Sequence, residues 1–163
     1  MHATIRIFRT GSHGPLFYGI TGDTPSPLTR GLLGSRKFFA NPSPKASLQN
    51  VLLQVSQRDE SITFVHPKDM DSTDIRSVIE DATYEYRSAA IGHASIVAAC
   101  LWSAWAMPSG GWFVLLFKQV ALPLFAGYGS VRFIETHFIA NGAERLDTLL
   151  KNGDIDFKLD THR

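Results

Sequence analysis

Charged and apolar residues are distributed unevenly along this chain of 163 residues. Between residues 88 and 131 the only charged side chain is that of Lys118, although charged residues make up 19% of the whole chain. This segment holds two apolar runs, residues 88–107 and 111–128, and each is close to the ~20 residues that a helix needs to cross a bilayer. A Pro-Ser-Gly-Gly break at 108–111 separates the two runs. The pattern therefore predicts a helical hairpin that crosses a membrane.

The predicted fold class is a mainly α membrane protein, with a two-helix transmembrane hairpin and small α+β flanking segments on one side. The edges of the uncharged segment divide the chain into three parts. Residues 1–87 form an amino-terminal extramembrane region, which consists of a basic loop-rich arm and a small α+β segment. Residues 88–131 form the hairpin, and residues 132–163 form a carboxy-terminal extramembrane segment.

Both flanks show the periodicity of short folded elements. Alternating apolar positions predict strands, apolar positions three and four apart predict helices, and clusters of Pro, Gly, Ser and Thr predict loops. The predicted elements are a hairpin of strands at 3–9 and 15–20, a loop at 21–46, a short helix capped by Ser47, a strand at 61–66, a helix that starts near Thr73, a short helix at 143–151 ended by Asn152-Gly153, and an edge strand at 154–160. Because no breaker follows Thr73 before the first apolar run, the helix is expected to continue into that run.

Aromatic and basic residues mark the two ends of the predicted hairpin. The tryptophans lie beside its turn, whereas a tyrosine and the arginines lie at its open end, as expected for residues at two membrane interfaces. The predicted interface anchors are Arg87, Trp105, Trp112, Tyr128 and Arg132. Because arginines favour the inner side, both termini are expected on the cytoplasmic side of a bacterial inner membrane or the matrix side of a mitochondrial inner membrane.

Small residues recur at every fourth position along the first apolar run. One series is Ala90, Ala94 and Ala98, and a neighbouring series is Ser95, Ala99 and Ser103. Small residues at this spacing let helix backbones approach closely, which is how helices gain packing inside a membrane. Two series on one helix predict contacts on two sides, one with the second helix of the hairpin and one with a partner subunit.

Lys118 needs a separate explanation, because it lies about six residues beyond Trp112 and hence ~9 Å from the outer interface at ~1.5 Å per residue. Its long stem allows the ammonium group to reach water by snorkelling. A charge held at mid-bilayer costs at least ~2.5 kcal/mol, so the alternative is pairing with a carboxylate of a neighbouring subunit. The chain itself has no carboxylate between Glu85 and Glu135. Pro123 is predicted to kink the second helix and free a backbone carbonyl.

The sequence contains no recognised catalytic motif and no recognised spacing of metal ligands. The histidines have no zinc-ligand spacing with one another or with Cys100. A haem held by His93 and His137 is disfavoured, because paired interfacial histidines are more often structural. The chain has no Walker loop and no Gly-x-Ser-x-Gly motif. We therefore expect no enzymatic activity, no cofactor and no metal.

The charge balance indicates the kind of partner. A net charge of +1 argues against nucleic acid, whose binders present a strongly basic face. The amino-terminal arm carries six basic residues and one acidic residue before Arg58, which favours contact with anionic lipid or a neighbouring subunit. A single cysteine, Cys100, excludes a disulfide within the chain.

Together these patterns predict a non-catalytic structural or assembly subunit of a multi-protein membrane complex, such as a secretion or conjugation machine or a respiratory-type complex. Its partners would be other membrane-protein subunits and the lipid bilayer. The alternative is a soluble or peripheral domain that binds a small apolar ligand between buried helices, because the first apolar run is only moderately hydrophobic.

Overall fold

The structure is a computed structural model, and it describes residues 2–10, 14–21, 43–57, 61–108 and 110–160. Of these residues 68% are helical, and a small sheet accompanies the helices. The mainly α class expected from the sequence is therefore confirmed. The chain divides into two compact units, of which the first comprises Met1–Tyr84 with Phe138–Arg163 and the second comprises Glu85–His137.

A four-stranded mixed sheet forms the centre of the first unit. Strands β1 (His2–Arg9) and β2 (Leu16–Thr21) are antiparallel, which confirms the predicted hairpin. Strand β3 (Ser61–His66) runs parallel to β1, and strand β4 (Ile155–Leu159) runs parallel to β3. The strand order is β2-β1-β3-β4, so the predicted carboxy-terminal strand is at an edge of the sheet. Most of the predicted loop at 21–46 lies outside the described residues.

Alternation along β1 explains why this segment is a strand with one buried face. Ala3, Ile5 and Ile7 are buried, whereas Arg6 and Phe8 between and after them are exposed. Side chains of a strand point to opposite faces in turn, so one face carries the apolar set and the other meets solvent. The largest fully buried side chains of the described residues are Ile5, Ile7, Val51, Leu52, Leu53, Val55, Phe64, Ile75, Ile79, Ile139 and Leu146.

Helix α1 (Pro44–Val55) connects the first hairpin to β3. Its N-cap is Ser43, whose hydroxyl oxygen accepts a hydrogen bond from the Ala46 N–H at 3.1 Å. The predicted cap at Ser47 is wrong, because Pro44 suits the first helical position and moves the start one turn earlier. Ser47 instead accepts a hydrogen bond from the Tyr18 N–H at 3.0 Å, which ties the helix to β2.

The two apolar runs belong to long helices. Helix α2 (Ser72–Ala106) is continuous, as expected from the absence of a breaker. After the turn come helix α3 (Gly111–Leu116), a π-helical turn (Phe117–Ala121) and helix α4 (Leu122–Asn152) without interruption. The helix ends where Asn152-Gly153 predicted, and Gly153 has the left-handed φ of 76° that favours glycine.

The separate short helix predicted at 143–151 is wrong, because α4 runs through that segment from Leu122. Gly142, which directly precedes the predicted helix, lies inside α4. A Cβ atom at this position would collide with the backbone carbonyl of Leu52 in α1. Glycine is therefore needed for the close approach of two helices and not for a turn. The start of α2 and the end of α4 also meet, since Arg76 Nη2 donates to the Leu150 carbonyl at 3.2 Å.

We predict that Gly142→Ala lowers the free energy of unfolding by about 1–3 kcal/mol, because α1 and α4 must separate to admit the methyl group. Gly127→Ala is the matched control, since Gly127 lies in the same helix and no atom comes within 4 Å of an added Cβ. The control should leave stability unchanged or raise it by up to ~1 kcal/mol through helix propensity. Thermal unfolding followed by circular dichroism measures both. Equal stability of the two variants would contradict the proposed close contact.

Candidate functional site

The second unit contains the apolar parts of both long helices, and these parts are poorly buried. Among the described residues, the helical stretches Ser72–Ala106 and Gly111–Asn152 are each long and apolar enough to cross a membrane. In their most apolar 18-residue windows only 6% and 11% of the residues are buried within the structure. The core helices of a soluble domain bury their apolar residues, whereas the described residues leave most of these two helices uncovered.

Large apolar side chains are exposed along both helices. Within the second unit, those with exposed fractions above one half are Ile91, Leu101, Trp102, Trp105, Trp112, Phe113, Leu116, Leu124, Phe125, Tyr128 and Val131. Single exposed apolar residues are normal, but a contiguous series of this size marks a surface for lipid or protein. The surface formed by these residues is called the apolar belt below.

The two helices contact each other through a narrow face. A Cβ atom added to Gly129 would lie 3.0 Å from Val97 Cγ2 and 3.8 Å from the His93 carbonyl oxygen. Gly129 is buried, so the missing side chain lets α4 lie against α2 at this level. On the α2 side, Ala90 is buried and Ala94 half-buried.

The small residues predicted to mediate packing lie in different environments. Ala90, Ala94 and Ser103 are at least half-buried, whereas Ser95, Ala98 and Ala99 are exposed. The Ser95 hydroxyl donates to the Ile91 carbonyl at 2.9 Å and is satisfied within its own helix. Positions three and four apart share a helix face, so the exposed residues form one small-residue patch, defined as Ser95, Ala98 and Ala99. No described residue fills this patch.

Lys118 has a partner within the hairpin. Its Nζ donates to the backbone carbonyl of Met107 at 3.3 Å. Met107 directly follows α2, where the last carbonyls lack partners in the helix and the helix dipole is negative. The ammonium group therefore caps the first helix of the hairpin. Sequence reasoning considered water and a foreign carboxylate as partners of Lys118 and missed this acceptor, which becomes visible only when the turn is folded.

The π-helical turn that holds Lys118 has a local cause. Pro123 lacks an N–H group and its ring clashes with the carbonyl four residues earlier in a regular helix. The wider turn at Phe117–Ala121 precedes this proline, and the Leu122 N–H bonds to the Phe117 carbonyl five residues back. Such single π turns in helices often coincide with functional positions. Here the turn contains the one charged residue of both apolar runs.

The predicted interface anchors are exposed or ion-paired. Trp105 and Trp112 near the turn are 78% and 74% exposed, and Tyr128 is 65% exposed. Arg87 is also exposed. The Arg132 guanidinium forms a 2.7 Å ion pair with Glu135, whose side chain is almost completely buried. The pairing neutralises a carboxylate that would otherwise be costly to bury.

The two histidines of the second unit, His93 and His137, have different surroundings. The Nδ1 atom of His93 is buried and has no hydrogen-bond partner among the described residues. The His137 ring stacks on Phe133 with 5.7 Å between ring centroids. Within the described ranges, no three His, Cys, Asp or Glu side chains are grouped so that they could hold a metal ion.

Comparison of the chain with protein families, with curated proteins and with solved structures gave no match. The features of the hairpin that bear on function are its apolar belt, its small-residue patch and the capping lysine.

We predict that Lys118→Met speeds backbone hydrogen exchange at residues 103–107 about fivefold, because losing one hydrogen bond of ~1 kcal/mol lets the end of α2 fray. Gln119→Met is the matched control, since Gln119 is exposed and adjacent to Lys118. This substitution removes a polar group but leaves the cap in place. Exchange measured by mass spectrometry in the same detergent compares the two variants with the wild type. An unchanged rate for Lys118→Met would show that the cap does not stabilise the helix end.

Proposed function

We propose that this chain is a non-catalytic structural or assembly subunit of a multi-protein membrane complex, anchored by the hairpin at 88–131. The observation that carries the proposal is the exposure of the apolar windows, of which only 6% and 11% are buried. Leaving apolar surface in water costs about 25 cal/mol per Å², and a bilayer removes that cost. A secretion or conjugation machine or a respiratory-type complex is the kind of assembly that fits.

The proposed orientation has both termini on the cytoplasmic side of a bacterial inner membrane or the matrix side of a mitochondrial inner membrane. Trp105 and Trp112 would lie at the outer interface, where exposed indole rings are favourable. Arg87 and Arg132 would lie at the inner interface with Tyr128. Lys118 is compatible with this arrangement, because its ammonium group reaches back to the Met107 carbonyl beside the turn and would snorkel toward the outer surface in the proposed orientation.

The small-residue patch is the proposed contact with another membrane-protein subunit. Ser95, Ala98 and Ala99 are exposed, and a helix of small side chains can be approached closely by a second helix. Large side chains of the apolar belt elsewhere on the hairpin suit lipid. The basic amino-terminal arm is the proposed contact with anionic lipid.

The alternative function, a soluble or peripheral domain that holds a small apolar ligand between buried helices, requires the two helices to bury each other. Their exposure favours the membrane instead. Carbonate extraction separates the two functions, since a membrane-spanning hairpin stays in the pellet. Release of the wild-type chain into the supernatant would refute the membrane proposal and support the peripheral domain.

Our topological prediction uses single cysteines in a Cys100→Ala background. A membrane-impermeant thiol reagent added outside should label Ser109→Cys, which lies between the two apolar runs in the sequence, and should leave Ser72→Cys unlabelled until the membrane is permeabilised. Ser72 is a suitable control because it is exposed at the start of α2. Labelling of both positions from the same side would refute a hairpin that crosses the membrane.

The partner contact is tested by Ala98→Leu, which should overfill the small-residue patch at a cost of about 1–3 kcal/mol to the contact. Co-purification of partner subunits should fall at least about fivefold while carbonate-resistant insertion stays normal. Val120→Leu enlarges an exposed position on the second helix and should leave co-purification unchanged. If Ala98→Leu retains its partners as well as Val120→Leu does, this face contacts only lipid.

A further inference from the structure

We propose that two copies of this chain associate through the free edge of β4, with their β4 strands antiparallel and related by a two-fold axis at Phe157. The contact would extend the four-stranded sheet across both copies. It belongs to the first unit and does not depend on the proposed membrane function. The observations that support it are the open edge, the direction of its backbone groups and the order of its five side chains.

Among the described strands, β4 is the last in the order β2-β1-β3-β4, so one of its two edges has no neighbouring strand. One side of β4 pairs with β3, in a register that sets Phe157 beside Phe64. No described strand pairs with its other side. An unpaired strand edge presents N–H and C=O groups that favour pairing with another chain.

The direction of the backbone groups follows from the ladder. The Asp160 N–H donates to the His66 carbonyl at 2.9 Å. Along a strand the hydrogen-bonding groups alternate in direction, so Asp156 and Lys158 also direct theirs toward β3. The N–H and C=O groups of Ile155, Phe157 and Leu159 therefore point to the open edge. A two-fold axis at Phe157 lets the two Phe157 residues exchange both hydrogen bonds, which is an allowed register for antiparallel strands.

The side chains of β4 are complementary to themselves in this register. Its sequence is Ile-Asp-Phe-Lys-Leu from Ile155 to Leu159. Antiparallel pairing about Phe157 sets Asp156 opposite Lys158 of the second copy on one face of the sheet, and Ile155 opposite Leu159 of the second copy on the other. Parallel pairing in register would set like charges side by side, which is unfavourable.

The side chains of β4 that follow Ile155 are exposed enough to contact a second copy of the chain. Asp156 and Lys158 are exposed, and no ion pair within the described part of the chain uses either of them. Phe157 and Leu159 are 37% and 54% exposed although they share the face of the buried Phe64. A second copy would cover both apolar side chains and pair both charges. Because β4 is complementary to itself in both its apolar and its charged side chains, the proposed partner is a second copy of the chain and not an unrelated strand.

The test uses full-length protein in detergent, with donor or acceptor fluorophores on an amino-terminal tag, and measures self-association by energy transfer over a concentration series. Asp156→Lys alone leaves the edge with two lysines, and Lys158→Asp alone leaves it with two aspartates. Each variant should self-associate about tenfold more weakly than the wild type, because both cross-strand pairs become repulsive. Matched charge changes at exposed positions outside the sheet, Asp81→Lys and Lys68→Asp, should have no effect.

The decisive measurement is a mixture of the two single variants. In a mixed pair every lysine of one chain faces an aspartate of the other, so association should return to the wild-type level. The double variant Asp156→Lys/Lys158→Asp should also recover. A monomeric wild type, undiminished self-association of the single variants, or a mixture that fails to recover would each overturn the proposal. Carbonate extraction tests the membrane hairpin separately, so the two proposals can fail independently.

Discussion

The parallel pairing of β3 with β4 is the interaction on which the rest of the structure depends. Parallel neighbours cannot be joined by a tight turn and need a crossover connection. Here the connection runs through α2, the turn and α4, so it includes the whole second unit. The sheet is complete only when the residues after the apolar runs return to the residues before them. The first unit is therefore built from both flanks of the chain.

Two glycines of the described residues lie where helices pack closely. Gly142 lies against the Leu52 carbonyl in the first unit, and Gly129 lies against Val97 in the second. A methyl group at Gly142 would collide with backbone, and one at Gly129 would lie only 3.0 Å from Val97 Cγ2, so close neighbours and not backbone conformation favour glycine at both positions. The same principle explains why an exposed patch of small residues on α2 is informative. Where a helix presents small side chains outward, another helix can approach as closely as these pairs do.

Charged side chains in and beside the apolar segments each have a specific partner or position. Lys118 is held by the Met107 carbonyl at the end of α2, and the buried Glu135 is held by Arg132. At the sheet edge, Asp156 and Lys158 interrupt an otherwise apolar strand. Charges on an edge strand discourage indiscriminate pairing, while their alternating sign still permits one antiparallel register. The edge is thereby protected from most partners and remains open to a second copy.

Local patterns in the sequence were sufficient for several elements. Alternation predicted β1 and β4, β2 was predicted as the hairpin mate of β1, and the absence of a breaker after Thr73 predicted the continuous α2. The apolar runs at 88–107 and 111–128 predicted two helices able to span a membrane, because composition and length alone determine that property. Gly153 predicted the end of α4, since a left-handed residue suits a helix terminus.

Other features depended on residues that are distant in sequence, and only the tertiary structure decided them. The short helix predicted at 143–151 is the last part of α4, in which Gly142 lies against α1, and Ser47 looked like a cap although it binds the backbone of β2. The acceptor for Lys118 and the joining of β4 to β3 likewise appear only after folding. Periodicity reports which side of an element is apolar, but it carries no information about which other element will cover that side.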